Sequence, residues 1–270
     1  MESGAVGSFG LGSAVLAVTT ALPEHRLPQT QVRQVVADMV GSSASRRGAV
    51  GRLFDHACVD MRFSVLPLEQ LSLPRTLSAT TALYRESAIA LGRQAAVACL
   101  REAGVQARAV DMVITSSCTG FMIPSFDAYL AEELGFRADV RRVPLTELGC
   151  LGGGAALAQA HEFLSGHPRA HVLVVAVELP TLSFQAGDRR TEQLISTVLF
   201  GDGAAAALLT SAGSASRLRI LDSRSHRFPN SVGMLGFELH DDGLHVVLAK
   251  ELPDILRFQL APVVDGLLAG

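Results

Sequence analysis

The residue best placed to do chemistry in this sequence is Cys150, which stands between Gly149 and Leu151 and is followed by three glycines. A cysteine acts as a nucleophile through its thiolate, which positive charge nearby stabilises. The small residues after Leu151 predict a helix, whose N-terminus would offer unpaired N–H groups and a partial positive charge. Cys150 is therefore a candidate to accept an acyl group. A buried structural cysteine beside a glycine-rich helix contact explains the local string equally well.

Two further strings could contribute to a site. Ser116-Ser117-Cys118-Thr119-Gly120 follows an apolar run directly, and ligand sites in α/β proteins lie beyond the carboxyl ends of strands. Taken alone, a polar turn that caps the next helix is the better explanation of this string. Phe200-Gly201-Asp202-Gly203 predicts a tight turn with an aromatic side chain that could face a pocket or the core. The glycine-rich strings lack phosphate-loop spacing, so no nucleotide cofactor is implied.

The elements that must position these residues alternate between strands and helices. Strands are predicted over 13–20, 110–115, 171–177, 203–209, 218–221 and 244–248, with a short extended piece around Val143. Helices are predicted over 31–40, 88–103, 124–134, 151–164, 191–199 and 253–268, with a loop over 41–47. This alternation predicts an α/β fold whose sheet is covered by helices on both faces.

Composition excludes several classes of function. The chain has 270 residues, 49% of them hydrophobic, and a net charge of -3, which is not the electrostatic footprint of a nucleic-acid-binding protein. Its four cysteines form no C-x-x-C pair, which predicts neither a metal site nor disulfides and favours the reducing cytoplasm. No basic segment at the N-terminus predicts a signal peptide, and the apolar run 172–177 is too short to span a membrane.

The stretch 211–216 contains only Gly, Ser and Ala and has the composition of a linker. It divides the chain into a predicted unit of residues 1–212, which carries Cys150, and a second unit of residues 213–270. The second unit looks incomplete, because no further strand follows the helix predicted over 253–268.

Taken together, these strings resemble the type III polyketide synthases, the chalcone and stilbene synthase-like enzymes, and their bacterial members in particular. The resemblance rests on five segments in the same order: 13–23, 52–63, 116–124, Gly149-Cys150 and 199–204. It implies a thiolase-like layered αβαβα fold, of which the first half is complete and the second is cut short.

The resemblance also implies roles for individual residues. Cys150 matches the cysteine that takes an acyl group from coenzyme A, and Phe200 matches the phenylalanine between the coenzyme A tunnel and the cavity. Cys118 and Thr119 fall on the cavity wall. Ile123 falls where a residue reaches into the cavity of a second copy, which implies a homodimer. Val246 falls near a second gatekeeping phenylalanine of plant enzymes, so a wider gate is expected.

Coenzyme A thioesters are the implied substrates, namely an acyl-CoA starter and malonyl-CoA, with no resident cofactor. Arg52 matches a basic residue near the coenzyme A phosphates. His56 and Ala49 stand where lysines are common, so Arg46 and Arg47 are expected to help bind the phosphates. Neither nucleic acid nor a membrane is expected as a partner.

One departure from the family concerns the other two catalytic residues. The family's histidine lies in a His-Pro-Gly-Gly string and its asparagine in a Gly-Asn string, and this sequence contains neither. We therefore expect a C-terminally truncated enzyme with little condensing activity by itself. A separate chain that supplies the missing half, a shortened gene and a degenerate remnant are the explanations that the sequence leaves open.

Two other functions fit part of the pattern. A ketoacyl-acyl carrier protein synthase III shares the fold and the Phe-Gly-Asp-Gly-Ala turn, although the Gly149-Cys150 turn and the segments 52–63 and 120–124 favour the polyketide synthase. A non-catalytic dimerising or acyl-binding subunit would explain the missing histidine and asparagine.

Overall fold

The computed structural model describes residues 12–41, 43–184, 187–211 and 218–269. The first half of the chain forms β1 (Ser13–Ala21), β2 (His25–Pro28), α1 (Gln29–Met39), α2 (Ala44–His56), β3 (Met61–Ser64), α3 (Leu77–Ala103), β4 (Met112–Ser116) and α4 (Phe126–Glu133). The second half forms β5 (Arg141–Leu145), α5 (Gly152–Gly166), β6 (His171–Glu178), α6 (Thr191–Leu199), β7 (Gly203–Ser211), β8 (Arg219–Ile220), β9 (Leu235–His240), β10 (Gly243–Leu248) and α7 (Leu252–Leu268).

Six strands form one mixed sheet in the order β5-β4-β6-β7-β1-β8. Strand β4 runs parallel to both β5 and β6, whereas β7 is antiparallel to β6 and to β1. The parallel register pairs Ser116 at the end of β4 with Ala176 near the end of β6. The polar residues that follow these two strands therefore meet at one edge of the sheet.

The sheet is buried between α3 on one face and α5 on the other, so the predicted α/β class is confirmed. Side chains alternate between the two faces along β6: Leu173 and Val175 pack in the cluster with α3, while Val172 and Val174 pack in the cluster with α5. Both helices present alanines to the strands, which lets the backbones approach closely. Each buried Leu or Val contributes about 1.5–3 kcal/mol to stability.

Most predicted elements are confirmed, and the differences have local causes. The loop predicted over 41–47 is wrong after Ser43, because α2 begins at Ala44 and the Ser43 hydroxyl accepts a hydrogen bond from the Arg46 N–H at 3.5 Å. Helix α3 ends as predicted, with Gly104 in the left-handed conformation at φ 66°. Strands β2, β3 and β9 were not predicted, since β2 and β3 have only four residues each and β9 mixes apolar residues with glycine and polar residues.

The strand predicted to open a second unit, β8, pairs with β1 at the edge of the main sheet. The predicted boundary between residues 212 and 213 lies within 212–217, outside the described residues. Beyond β8, the strands β9 and β10 form an antiparallel hairpin, and α7 follows it.

Candidate active site

Cys150 lies in a single 3-10 turn, Gly149–Leu151, immediately before α5. Gly149 adopts φ 56°, a conformation that favours glycine and turns the chain sharply into the helix. The side chain of Cys150 is exposed. The structure thus places the thiol at a helix N-terminus, as expected for a nucleophile.

The turn that carries Cys150 packs directly on the end of β4. A Cβ atom on Gly152 would overlap the Oγ atom of Ser116, so no larger residue fits at the start of α5. This close approach brings Cys150 near the polar string that follows β4, and Cys118 lies close enough to interact electrostatically with Cys150.

A partly buried carboxylate, Glu178 at the end of β6, organises that polar string. It accepts hydrogen bonds from the Cys118 N–H at 3.1 and 3.2 Å, from the Cys118 Sγ at 3.5 Å and from the Thr119 Oγ1 at 2.8 Å. Thr119 Oγ1 also accepts a hydrogen bond from the Leu179 N–H at 2.7 Å. Burial raises the pKa of Glu178, and the hydrogen bonds from Thr119 and Cys118 oppose that shift.

Cys118 therefore differs chemically from Cys150. Burial first, and then the negative charge of Glu178 and the hydrogen bond to it, raise the pKa of Cys118 to about 12. Cys118 remains a neutral thiol near pH 7, so it is suited to line a cavity rather than to attack a substrate. A small cavity next to it is lined by Thr119, Gly120 and Tyr84 together with Leu239 and Leu244 of the hairpin.

Phe200 caps the C-terminus of α6, and its side chain is 46% exposed. Arg62, at 5% exposure, donates to the carbonyl oxygens of Phe200 at 3.0 Å and Val198 at 2.7 Å. Burial lowers the pKa of Arg62 to about 10, opposed by the charge of Asp202, so Arg62 is a cation near pH 7. The same burial raises the pKa of Asp202 to about 6.

The remaining predicted site residues lie apart from this cluster. Ile123 follows the polar string at 85% exposure, before a cis bond to Pro124. Val246 is only 6% exposed and faces Phe237 across the β9–β10 hairpin. The wider gate expected from Val246 stays a prediction.

The three predicted coenzyme A ligands lie together on α2, which packs against α6. Arg46 and Arg52 are exposed, while Arg47 donates through its Nε to the Gly41 carbonyl at 2.9 Å. The helix that carries the arginines is therefore a neighbour of the helix that ends at Phe200.

Sequence reasoning missed Glu178 and Arg62. The signal for Glu178 was available, because a carboxylate directly after the apolar run 172–177 is costly to bury unless it has a role. Arg62 gave no comparable signal, since the carbonyl groups that it binds are more than a hundred residues away.

Among the described residues, no helix is long and apolar enough to cross a membrane. The same residues also contain no cluster of three or more His, Cys, Asp or Glu side chains that could hold a metal ion. The four cysteines are free.

Comparisons with known proteins agree on one family. The model of the N-terminal domain of chalcone and stilbene synthases matches residues 4–213. The 1,3,6,8-tetrahydroxynaphthalene synthase of Streptomyces peucetius subsp. caesius is 35% identical over 263 residues, which cover 96% of this chain and 69% of that protein. The phloroglucinol synthase of Pseudomonas fluorescens is 30% identical, over 91% of this chain and 70% of that protein.

A solved structure of similar fold comes from the same family. The 1,3,6,8-tetrahydroxynaphthalene synthase of Streptomyces coelicolor, described as a bacterial type III polyketide synthase, has a TM-score of 0.90 at 29% identity, over 95% of this chain and 73% of that chain. These alignments extend over nearly all of this chain and over about seven tenths of each relative, and they give no support for a separate partner chain.

Proposed function

The chain belongs to the chalcone and stilbene synthase family of type III polyketide synthases, and on this premise we propose that it condenses an acyl-CoA starter with malonyl-CoA through a thioester on Cys150. The observation that carries the proposal is the exposed Cys150 thiol at the N-terminus of α5, beside the Glu178–Cys118–Thr119 cluster. Coenzyme A thioesters serve as substrates, and no resident cofactor takes part.

In the first step, the Cys150 thiolate attacks the thioester carbonyl carbon of acyl-CoA. A carbon–sulfur bond to Cys150 forms, the bond to coenzyme A breaks, and the coenzyme leaves as a thiol after taking up a proton. The N–H groups at the start of α5 stabilise negative charge at this position. Burial and the negative charge of Glu178 raise the pKa of Cys118 to about 12, so Cys118 is a neutral thiol that does not compete with Cys150 for the acyl group.

In the second step, malonyl-CoA loses carbon dioxide, and the resulting enolate carbon attacks the acyl carbonyl on Cys150. The Cys150 thiolate leaves, and the product is a 3-oxoacyl-CoA that is two carbons longer. The family resemblance assigns stabilisation of the enolate to a histidine and an asparagine in strings that this sequence does not contain. Each hydrogen-bond donor of this kind raises the rate about a hundred- to a thousandfold.

The substrates enter over α2 and pass Phe200. Arg46, Arg47 and Arg52 provide positive charge for the phosphates of coenzyme A, because arginine binds phosphate oxygens with two N–H groups at once. Since α2 packs on α6, a thioester held there would lie near Phe200 at the end of α6. Cys118 and Thr119 line the cavity in which the acyl chain grows, with Val246 in the hairpin beside it.

The product is proposed to be a phenolic ring, because a tetrahydroxynaphthalene synthase and a phloroglucinol synthase match 96% and 91% of this chain. An alkylpyrone is the alternative, since an acylalkylpyrone synthase matches 73% of it. The assembly is proposed to be a homodimer in the reducing cytoplasm. Phe121 and Ile123, exposed at 59% and 85%, are the apolar side chains that a second copy would cover.

The test separates acyl transfer from condensation. The chain is incubated with a radiolabelled acyl-CoA, denatured and counted for label on protein. The wild type and Cys58→Ala, which removes another exposed cysteine, are expected to retain label, and Cys150→Ala is expected to lose it. Label that persists on Cys150→Ala would overturn the assignment of Cys150.

Labelled malonyl-CoA then tests condensation in the same preparations. Acyl transfer without condensation would support the acyl-binding alternative for these residues. Activity only with carrier-protein-bound malonate would support the ketoacyl-acyl carrier protein synthase III alternative.

A further inference from the structure

Residues 200–202 form the turn between α6 and β7. Hydrogen bonds of Arg62 and of Asp202 hold this turn in place. The last carbonyl groups of a helix have no partner within it. Phe200 is the first residue beyond the helical conformation, at φ -98° and ψ 150°. The carbonyl groups around it therefore need donors from elsewhere in the fold.

Arg62 of β3 supplies those donors. Its guanidinium group donates to the carbonyl oxygens of Thr197, Val198 and Phe200, and to the Oε1 atom of Gln29. Only arginine presents several N–H groups in a fixed planar fork, so one side chain can hold three carbonyl groups of a helix end. Its positive charge also complements the negative end of the helix dipole.

Asp202 holds the other side of the turn. Its N–H donates to the Phe63 carbonyl at 2.8 Å, and its carboxylate accepts from the N–H groups of Val65 at 2.8 Å and Thr181 at 2.9 Å and from the Thr181 hydroxyl. Thr181 lies three residues after Glu178, which binds Cys118 and Thr119. The turn is thus connected directly to the wall of the candidate cavity.

Gly201 allows the backbone of the turn to approach β3 closely. A Cβ atom at this position would stand 2.8 Å from the Cβ of Arg62 and 3.2 Å from the Phe63 carbonyl oxygen. Such contacts require the backbone to shift, so the position of Phe200 relative to β3 is fixed within a narrow range.

Stability alone does not explain a charged residue at this place. Burying a cation is costly, and apolar residues of similar volume often replace buried charges without loss of stability. Arg62 is 5% exposed, and its Nε has no hydrogen-bond partner among the described residues. The arrangement is therefore better suited to fixing one geometry than to adding stability.

We propose that Arg62 and Asp202 are positioning residues for the ring of Phe200, and that they set how a starter thioester passes it. The kinetic part of this inference rests on the proposed function, whereas the geometric part does not. Loss of the Arg62 fork frees the Phe200 carbonyl and lets the ring adopt several positions. The acyl-CoA starter then binds less tightly as it passes the ring, while Cys150 and its helix are unchanged.

A fluorescence experiment tests the geometric part without any turnover. The sequence contains no tryptophan, so Phe200→Trp introduces a single reporter at the turn. In that background, Arg62→Lys is expected to lower the fluorescence anisotropy and to increase quenching by acrylamide. The matched control is Arg93→Lys, which changes an arginine on the surface of α3 that pairs with Glu133 at 3.5 Å and is expected to leave both signals unchanged. Equal signals in the two variants would overturn the proposal.

A second variant covers the case in which Arg62→Lys does not fold, as judged by circular dichroism and by the loss of cooperative unfolding. Gly201→Ala keeps Arg62 and displaces the same turn from the other side. It is expected to change the signals of the Phe200→Trp reporter in the same direction. An unchanged reporter in folded Gly201→Ala protein would also overturn the proposal.

Kinetics test the functional part with Phe200 in place. Arg62→Lys is expected to raise the KM for the acyl-CoA starter about tenfold, in line with the loss of hydrogen bonds from a charged group, and to leave kcat nearly unchanged. A fall in kcat with an unchanged KM would contradict a positioning role. If the wild type neither accepts acyl groups nor condenses them, the proposed function fails, and the fluorescence result alone decides this proposal.

Discussion

The Cys118 Sγ donates a hydrogen bond to the Oε2 atom of Glu178 at 3.5 Å. The carboxylate also accepts the N–H of Cys118, so the thiol and the carboxylate are held in one relative orientation. Burial and this negative charge together raise the pKa of Cys118, whereas the Cys150 thiol is exposed, so the two thiols are expected to differ in reactivity.

Alkylation by iodoacetamide is expected to distinguish these thiols. The pKa of Cys118 is about 12 and that of buried Cys99 about 11. At about pH 7.5, a thiol with a pKa near 12 has about a thousandfold less thiolate than an unperturbed thiol. Peptide mass spectrometry after timed labelling should show Cys150 and exposed Cys58 modified first. Modification of Cys118 as fast as Cys58 would contradict the role of Glu178.

Replacing Glu178 should lower the pKa of Cys118 and so make this thiol more reactive. Glu178→Gln removes the negative charge that raises the pKa of Cys118, while burial, the larger cause, remains. Cys118 is therefore expected to react faster in the variant than in the wild type, although still more slowly than Cys58. Glu162→Gln, an exposed position on α5, serves as the control and should not alter the labelling rate of Cys118.

The free energy of unfolding should depend on pH through Asp202. Its pKa rises on folding from 3.8 to about 6, mainly through burial. The folded state therefore binds this proton more tightly, and the resulting stabilisation is complete below pH 3.8 and is lost as the pH rises through about 6. The loss amounts to about 3 kcal/mol.

Urea unfolding of Asp202→Asn over this range gives the measurement. The difference in unfolding free energy between wild type and variant should shift against the wild type as the pH rises from 3.8 to about 6. A difference that stays constant over these pH values would show that the pKa of Asp202 does not change on folding.

Gly120 should tolerate no larger residue. A Cβ atom there would overlap the ring of Tyr84, which is 2% exposed and cannot move aside freely. Gly120→Ala is expected to lower the free energy of unfolding by about 1–3 kcal/mol, the usual cost of overpacking. Gly153→Ala, whose added Cβ meets nothing within 4 Å, is the matched control and should be neutral or slightly stabilising. Equal unfolding midpoints in urea for the two variants would refute the contact.

The candidate site was predictable where its signals lie close together in the sequence. The glycines around Cys150 and the small residues of α5 predicted the turn and the helix, and both are observed. The string 116–120 was correctly placed after a strand, but its contact with Glu178 was not foreseen. The start of α2 was missed, because the capping role of Ser43 was not recognised in a stretch of small polar residues.

The sequence by itself determined the order of strands and helices, the family resemblance and the position of Cys150 at a helix start. Each helix, each strand and each segment of the resemblance consists of residues close together in the sequence, so periodicity, capping residues and short motifs are sufficient to reveal them. Only the tertiary structure decided that Glu178 binds Cys118, 60 residues away, and that Arg62 binds Phe200, 138 residues away. Such pairs depend on which strands lie side by side and in what register, and that order follows from the packing of the whole sheet rather than from any local pattern.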